Sequence, residues 1–167
     1  SFAIRNQVTA SFSSFEGAWE MRKELLNNQK DFFKTALEEA GTASVKGYVF
    51  GVPDDPQRTN MMTDILLQHQ IKVYPLKNKF SQGGIEFNAG EAFVVPTKQN
   101  QYRMIRALME KVSDYADSTF YDISAWTLPL AMGVPYAELD AKAMDKIQMD
   151  KELKEVKFQE GVLLGDM

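Results

Sequence analysis

Ser124, in the stretch "FYDISAWTLPLAMGV", is the residue whose setting most resembles that of a nucleophile at the end of a strand. A serine attacks only when a neighbouring base takes its proton, and the strained strand-to-helix elbow that presents it is built on a G-x-S-x-G pattern. Here the surround is D-I-S-A-W, without either glycine. The one imidazole, His69 in "QHQIK", closes a helix that leads into the strand-like "IKVY", so it falls at the edge of the sheet opposite Ser124. A strand of five or six residues is roughly 17–20 Å long, too far for a shared proton. His69 therefore reads as a helix-terminal residue beside the last carbonyls. No catalytic residue is assigned.

One histidine and no cysteine cannot assemble a zinc centre of His/Glu or Cys/His composition. Oxygen-only binding of Mg²⁺ or Ca²⁺ is left to Asp54, Asp55 and Asp122, none at EF-hand spacing, so no metal ligand is assigned either. The absence of cysteine also removes disulfides and thiol nucleophiles. For phosphate, the relevant turn is "GVPDDPQR". It has no glycine-rich loop, and two aspartates at a helix N-terminus oppose the anion that the helix dipole would attract. Open parallel sheets bind ligands beyond their strand C-termini. On that reading Asp54, Arg58, Asn88, Asp122, Ser124 and Trp126 share one edge and form the candidate ligand groove. Trp126, with Pro129, Leu130 and Met132, reads first as an apolar plug or interdomain contact.

These residues need elements to hold them. "SSFEGAWEMRKELLNNQKDFFKTALEEAG" predicts a helix of roughly 27 residues, about 40 Å long. Ser13 and Glu16 form its capping box, Gly41 is its stop, and Phe15, Trp19, Met21, Leu25, Phe32, Phe33 and Leu37 supply its apolar face. Such a helix lies across a sheet or projects towards a neighbouring domain. "SVKGYVFGVP" predicts a strand, "DDPQRTNMMTDILLQHQ" a helix with Asp55 as N-cap and Pro56 at its first position, and "IKVYPL" a second strand. The near-continuous apolar run "YVFGV" suits a strand covered on both faces, and the unit reads as a right-handed βαβ with parallel strands. "IEF" and "AFVVP" form a small hairpin or bulged edge, and "KQNQYRMIRALMEKV" a packing helix through Tyr102, Ile105, Leu108 and Met109. "STFYDIS" is a third major strand, "AELDAKAMDKIQMD" a short polar helix within the solvated face "AELDAKAMDKIQMDKELKE", and "EVKFQEGVLLG" terminal strand. The fold class expected is α/β: a three-layer Rossmann/flavodoxin-like, mostly parallel sheet with helices on its faces, preceded by one long helix.

With 167 residues and 44% hydrophobic composition, a single domain is the default. Residues 1–14 read as an N-terminal extension and 15–167 as one α/β domain or part of a larger one. The net charge of -4 offers no basic stripe for nucleic acid, and no run of 18 apolar residues spans a membrane. "SFAIRNQVTA" lacks both an initiator Met and a signal-peptide layout, as expected of a fragment of a larger precursor.

The pieces "GYVFGVPDDPQR", "LLQHQIKVYPL", "EFNAGEAFVVPTKQNQYRMI" and "FYDISAWTLPLAMGV" together carry a family resemblance over about residues 15–136. They resemble the non-peptidase, glutamine-amidotransferase-like (flavodoxin-like) region of large bacterial proteins of the zinc carboxypeptidase (carboxypeptidase A-like) family. That resemblance implies an accessory domain of an exported enzyme, periplasmic or extracellular. It would support or orient the peptidase domain of the same parent chain and bind peptide or glycan in its groove. It implies no cofactor in this piece, with zinc in the parent's peptidase domain. The amidotransferase Cys-His-Glu triad and the HxxE zinc motif have no counterparts here. Two rival readings stay open: a small-molecule-binding flavodoxin-like domain, and a hydrolase using Ser124 or Asp122 completed by residues outside this chain. A homodimer is a further arrangement left open.

Overall fold

Tyr48 and Phe50 face one side of the strand they share, Val49 faces the other, and all three are buried. Double-sided burial of that strand sets the plan of the molecule. The computed structural model describes residues 1–111 and 127–158. Along the chain run helices α1 (Phe2–Glu20) and α2 (Arg22–Thr42), strand β1 (Gly47–Phe50) and helix α3 (Pro56–Gln68). Strands β2 (Tyr74–Pro75), β3 (Phe80–Gln82), β4 (Ile85–Phe87) and β5 (Phe93–Pro96) follow, then helices α4 (Tyr102–Met109) and α5 (Leu128–Met132), strand β6 (Tyr136–Leu139) and helix α6 (Ala141–Met144).

The main sheet has the order β2-β5-β1-β6, and each neighbouring pair is antiparallel. The expected mostly parallel Rossmann/flavodoxin-like sheet is overturned. Because β1 and β2 are each antiparallel to β5, they run in the same direction, and α3 connects them. The strand β5 lies between them, so they share no ladder. The apolar runs "GYVF" and "FVVP" report that both faces are covered; they do not report strand direction. Covering both faces usually means parallel strands, but here it comes from helices on one face and a hairpin with a short helix on the other.

On the first face Met62 and Leu66 of α3, Ile105 and Met109 of α4, and Val134 pack on Tyr48, Phe50, Phe93 and Val95. On the second, Val49 and Val94 meet Leu76, Phe80, Phe87, Leu139, Ala143 and Ile147. Helix α3 is bounded as its sequence requires. The Asp55 carboxylate accepts from the Arg58 N–H at 3.0 Å, and Pro56 opens the first turn. At its other end the N–H groups of Gln70 and Ile71 reach the carbonyls of Leu67 and Leu66 at 2.8 and 3.0 Å, with Gln70 left-handed at φ 59. That is a Schellman stop without glycine.

Several elements differ from expectation. "IEF" pairs with Phe80–Gln82 through a turn in which Gly83 and Gly84 both have positive φ, as a two-residue hairpin turn demands. "FVVP" goes instead to the middle of the main sheet. The stretch read as a solvated helix opens with strand β6, paired to β1, and its helix shrinks to one turn capped by Asp140. Ala143 and Ile147 of that stretch are buried. Residues 155–158 form no strand, and the strand expected at "STFYDIS" lies outside the described residues. The apolar turn after it is a short helix closed by left-handed Gly133, since proline is tolerated in a first turn.

The long helix also starts earlier than its capping box suggests. Phe2 opens α1, and Ser13 lies in its interior. Ser11 and Ser14 donate back to the carbonyls of Gln7 and Ala10, the bonding that serines adopt inside helices. At the junction, the Met21 N–H reaches the Gly17 carbonyl and the Leu25 N–H reaches the Met21 carbonyl, both at 2.9 Å. Helical bonding thus crosses from α1 to α2, and residues 2–14 belong to that helix.

Candidate functional site

The residues expected to form a groove have local commitments. Arg58 pairs with the Asp55 carboxylate at 3.1 Å and reaches the Gly133 carbonyl at 3.4 Å, tying α3 to the end of α5. The Asn88 amide donates to the Glu91 carboxylate at 2.9 Å. Asp54 is exposed in the loop after β1, with φ 64. Its neighbour Pro53 and Asn88 line one crevice with Gly51 and Glu91, so the two loops do meet, but the crevice is too narrow to admit a water molecule. Asp122, Ser124 and Trp126 lie outside the described residues. His69 is the C-cap of α3, the helix-terminal place its sequence suggested. Among the described residues no group of three His, Cys, Asp or Glu side chains could hold a metal ion. No described helix is long and apolar enough to cross a membrane.

A roomier cavity of about 370 Å³ lies between the C-terminal end of α2, helix α4 and the β1–β6 pair. Its floor is Tyr48, with Glu138 directly opposite across the ladder. Ala43, Val45 and Tyr102 give it apolar wall, and Glu39, Arg106 and Glu110 bring charge. Arg106 is bidentate on Glu110, at 2.6–3.0 Å. Glu39 receives Arg103 at 2.5 and 3.2 Å, and that hydrogen bond holds its carboxyl below the usual carboxylate range. Burial, and then the fields of Glu138 and Glu110, push the Tyr48 phenol well above its ordinary value. It stays a neutral hydroxyl, able both to donate and to accept.

Neither Tyr48 nor Glu138 figured among the sequence candidates. Tyr48 sits inside an apolar run and reads as core, while Glu138 sits in "AEL", the start of the segment expected to be a polar helix. The available signal was Asp140. A helix-capping residue there puts the segment before it outside the helix, free to form a strand.

A second feature is a surface rather than a cavity. Helix α1 buries no residue, and α2 buries only Ala36 and Ala40. Phe2, Phe12, Phe15 and Trp19 are 73%, 69%, 72% and 69% exposed, and Ile4, Val8, Leu25, Leu26, Phe32 and Phe33 are exposed with them. Phe12, Phe15, Trp19, Leu26, Phe33, Ala36 and Ala40 fall at alternating three- and four-residue steps once Arg22 and Gln29 are included, a continuous seam along one side. Only its last positions, Ala36 and Ala40, are covered, packing with Tyr102 of α4.

No protein-family model, curated protein or solved structure matches this chain.

Proposed function

We propose that this chain is a non-catalytic accessory module of an exported zinc carboxypeptidase-like protein, and that it holds or orients the peptidase domain of the same parent through the apolar seam of α1 and α2. The single observation that supports this reading is that seam. Soluble surfaces rarely leave contiguous apolar patches larger than a few hundred Å² unless something docks there. Four exposed aromatics lie on the seam (Phe12, Phe15, Trp19 and Phe33). At on the order of 150–250 Å² for each aromatic fully buried, and with the aliphatic side chains beside them, they offer about the ~800 Å² per partner of a standard interface. The family assignment and the periplasmic or extracellular location rest on the motif resemblance.

The test uses this chain and the parent's zinc peptidase domain as separate proteins. Mixed together they should co-elute, and Phe15→Asp or Trp19→Asp should abolish co-elution while leaving the thermal midpoint of this chain unchanged. Purified alone, the chain should neither retain zinc nor trim C-terminal residues from peptides. Stoichiometric zinc with trimming activity would overturn the reading, as would co-elution insensitive to both substitutions.

A further inference from the structure

The charges in and beside the α1–α2 seam say what kind of face covers it, an inference that rests on the reading above only in its claim that a protein docks there. With Phe12 and Phe15 as the first a and d positions of a heptad, Arg22 and Gln29 both occupy d positions, inside the apolar stripe. The Arg22 guanidinium lies 4.6 Å from the Trp19 ring centre and donates to the Trp19 carbonyl at 2.8 Å. No carboxylate pairs with it among the described residues. A protein face laid on the seam takes that guanidinium out of water, and a charge buried without a counter-charge is strongly unfavourable. The covering face must therefore bring Arg22 a carboxylate.

The flank of the seam repeats the demand. Lys23 and Lys30 occupy successive e positions, beside the stripe, whereas Glu24, Asp31 and Glu38 occupy the f positions farthest from it. Neither lysine has an ion pair among the described residues. Two acids adjoin the stripe, Glu16 at e and Glu39 at g, and Glu39 is already matched by Arg103. A chain with net charge -4 thus turns cations towards its uncovered face and acids away from it. The seam also runs into the folded body. Phe33 and Leu37 form one wall of a groove of about 580 Å³ whose other side includes Tyr74, Pro96, Lys72 and Lys98, so its far end is rimmed by lysine as well.

We infer that the seam is a receptor for an acidic amphipathic helix: an apolar a/d stripe that packs along Phe12, Phe15, Trp19, Leu26 and Phe33, with Asp or Glu set against Arg22, Lys23 and Lys30. The alternating three- and four-residue spacing accepts the side chains of a second helix as knobs. Charges of opposite sign across such a rim fix register and exclude wrong partners. A lipid surface is the weaker fit, because hydrocarbon has no fixed acceptor for Arg22 and Gln29 in the middle of the stripe.

Fluorescence anisotropy of labelled synthetic helices titrated with the whole chain tests it. Two peptides are compared, both with leucine at every a and d position, one with glutamate and the other with lysine at every e and g position. The glutamate peptide should bind at least about tenfold more tightly at about 0.1 M salt, and the gap should narrow at about 1 M. Arg22→Met should weaken binding of the glutamate peptide by about tenfold, whereas a seam that sought only apolar cover would bind more tightly after that change. Lys23→Gln combined with Lys30→Gln should weaken it by about threefold or more and flatten its salt dependence. All three side chains are exposed, so the variants should fold, which an unchanged thermal midpoint checks. Equal affinity for the two peptides, tighter binding by Arg22→Met, or no binding of either would overturn the inference, as would binding to phosphatidylserine vesicles by a chain that ignores both peptides. Co-elution with the peptidase domain is a separate readout. Its failure beside a bound glutamate peptide overturns the choice of parent domain and not the acidic helix; its success beside peptides bound equally overturns the acidic helix alone.

Discussion

Strands β1 and β5 and the N-terminal helix are both rich in large apolar residues, yet they meet opposite fates. Tyr48, Val49, Phe50, Val94 and Val95 are at most 2% exposed, whereas Phe12, Phe15 and Trp19 are 69–72% exposed. The strands find their cover within the chain, α3 and α4 on one face and the β3–β4 hairpin with α6 on the other. Among the described residues the helix finds cover only for Ala36 and Ala40, at the end where Tyr102 meets it. An apolar pattern tells which face needs cover. It does not tell whether the cover comes from the same chain.

The sharpest way to break this comparison is to truncate one large aromatic from each region. Phe50→Ala should cost about 3–5 kcal/mol, because it deletes a ring packed against Phe93 and leaves a cavity in the core. Trp19→Ala should stay within about 0.5 kcal/mol for the chain alone, as for other surface substitutions. Urea denaturation of both variants decides; a Trp19→Ala loss comparable with that of Phe50→Ala would mean that the helix is covered in solution even without a partner. An intermediate effect is expected at Gly51, where β1 passes β5's approach. A Cβ there would lie 2.9 Å from the Cα and Cβ of Ala92 and from the Glu91 carbonyl oxygen. Those atoms are backbone or rigidly attached to it, so Gly51→Ala should cost about 1–3 kcal/mol by overpacking.

How far the sequence carried the fold can be followed through particular residues. Strand β1, the Asp55–Pro56 start of α3 and the packing stripe Tyr102, Ile105 and Met109 are all in place, because each rests on local chemistry: a run, a cap, a period. Strand direction was not legible, since an apolar strand buried on both faces looks the same whether its neighbour runs with it or against it. β6 was missed because "YAEL" is too short to show a period, and its proper partner, β1, is some 90 residues away in the register Tyr48↔Glu138. That same long-range pairing sets Glu138 beside Tyr48 at the cavity, so the cavity could not be read before the pairing was known. Arg58 lies in the first turn of α3 and Asn88 just after β4, and their side chains serve Asp55, Gly133 and Glu91.

Gln70 offers a smaller test, within the folded body. Its left-handed φ of 59 closes α3, and a non-glycine residue there bears a steric cost of roughly 1–2 kcal/mol. Glycine removes that cost but brings extra chain entropy to the unfolded state, of roughly 0.5–1 kcal/mol. Gln70→Gly should therefore stabilise by about 0.5–1 kcal/mol, seen as a higher denaturation midpoint at unchanged slope; destabilisation would mean that the side chain itself holds the turn.

The smallest effect belongs to the joint where the two regions meet. Arg103 of α4 donates to the Glu39 carboxylate, the Thr35 hydroxyl and the Phe32 carbonyl of α2, and its guanidinium lies 4.4 Å from the Phe32 ring centre. The Arg103 hydrogen bond lowers the Glu39 pKa from 4.5. A carboxyl held lower in the folded than in the unfolded state contributes stability that is present above the unfolded value and lost as pH falls through the folded one. The loss should begin near pH 4.5 and continue below it. Exposed ion pairs contribute little, so the effect should show as a shallower acid slope of the thermal midpoint in Glu39→Gln than in the parent chain, with the two curves converging at low pH. Identical slopes would mean that Arg103 holds the helix through Thr35, the Phe32 carbonyl and the ring alone. In that case the joint between seam and body would keep its geometry in acid, and acid-driven release of a partner from the seam would have to originate in the partner.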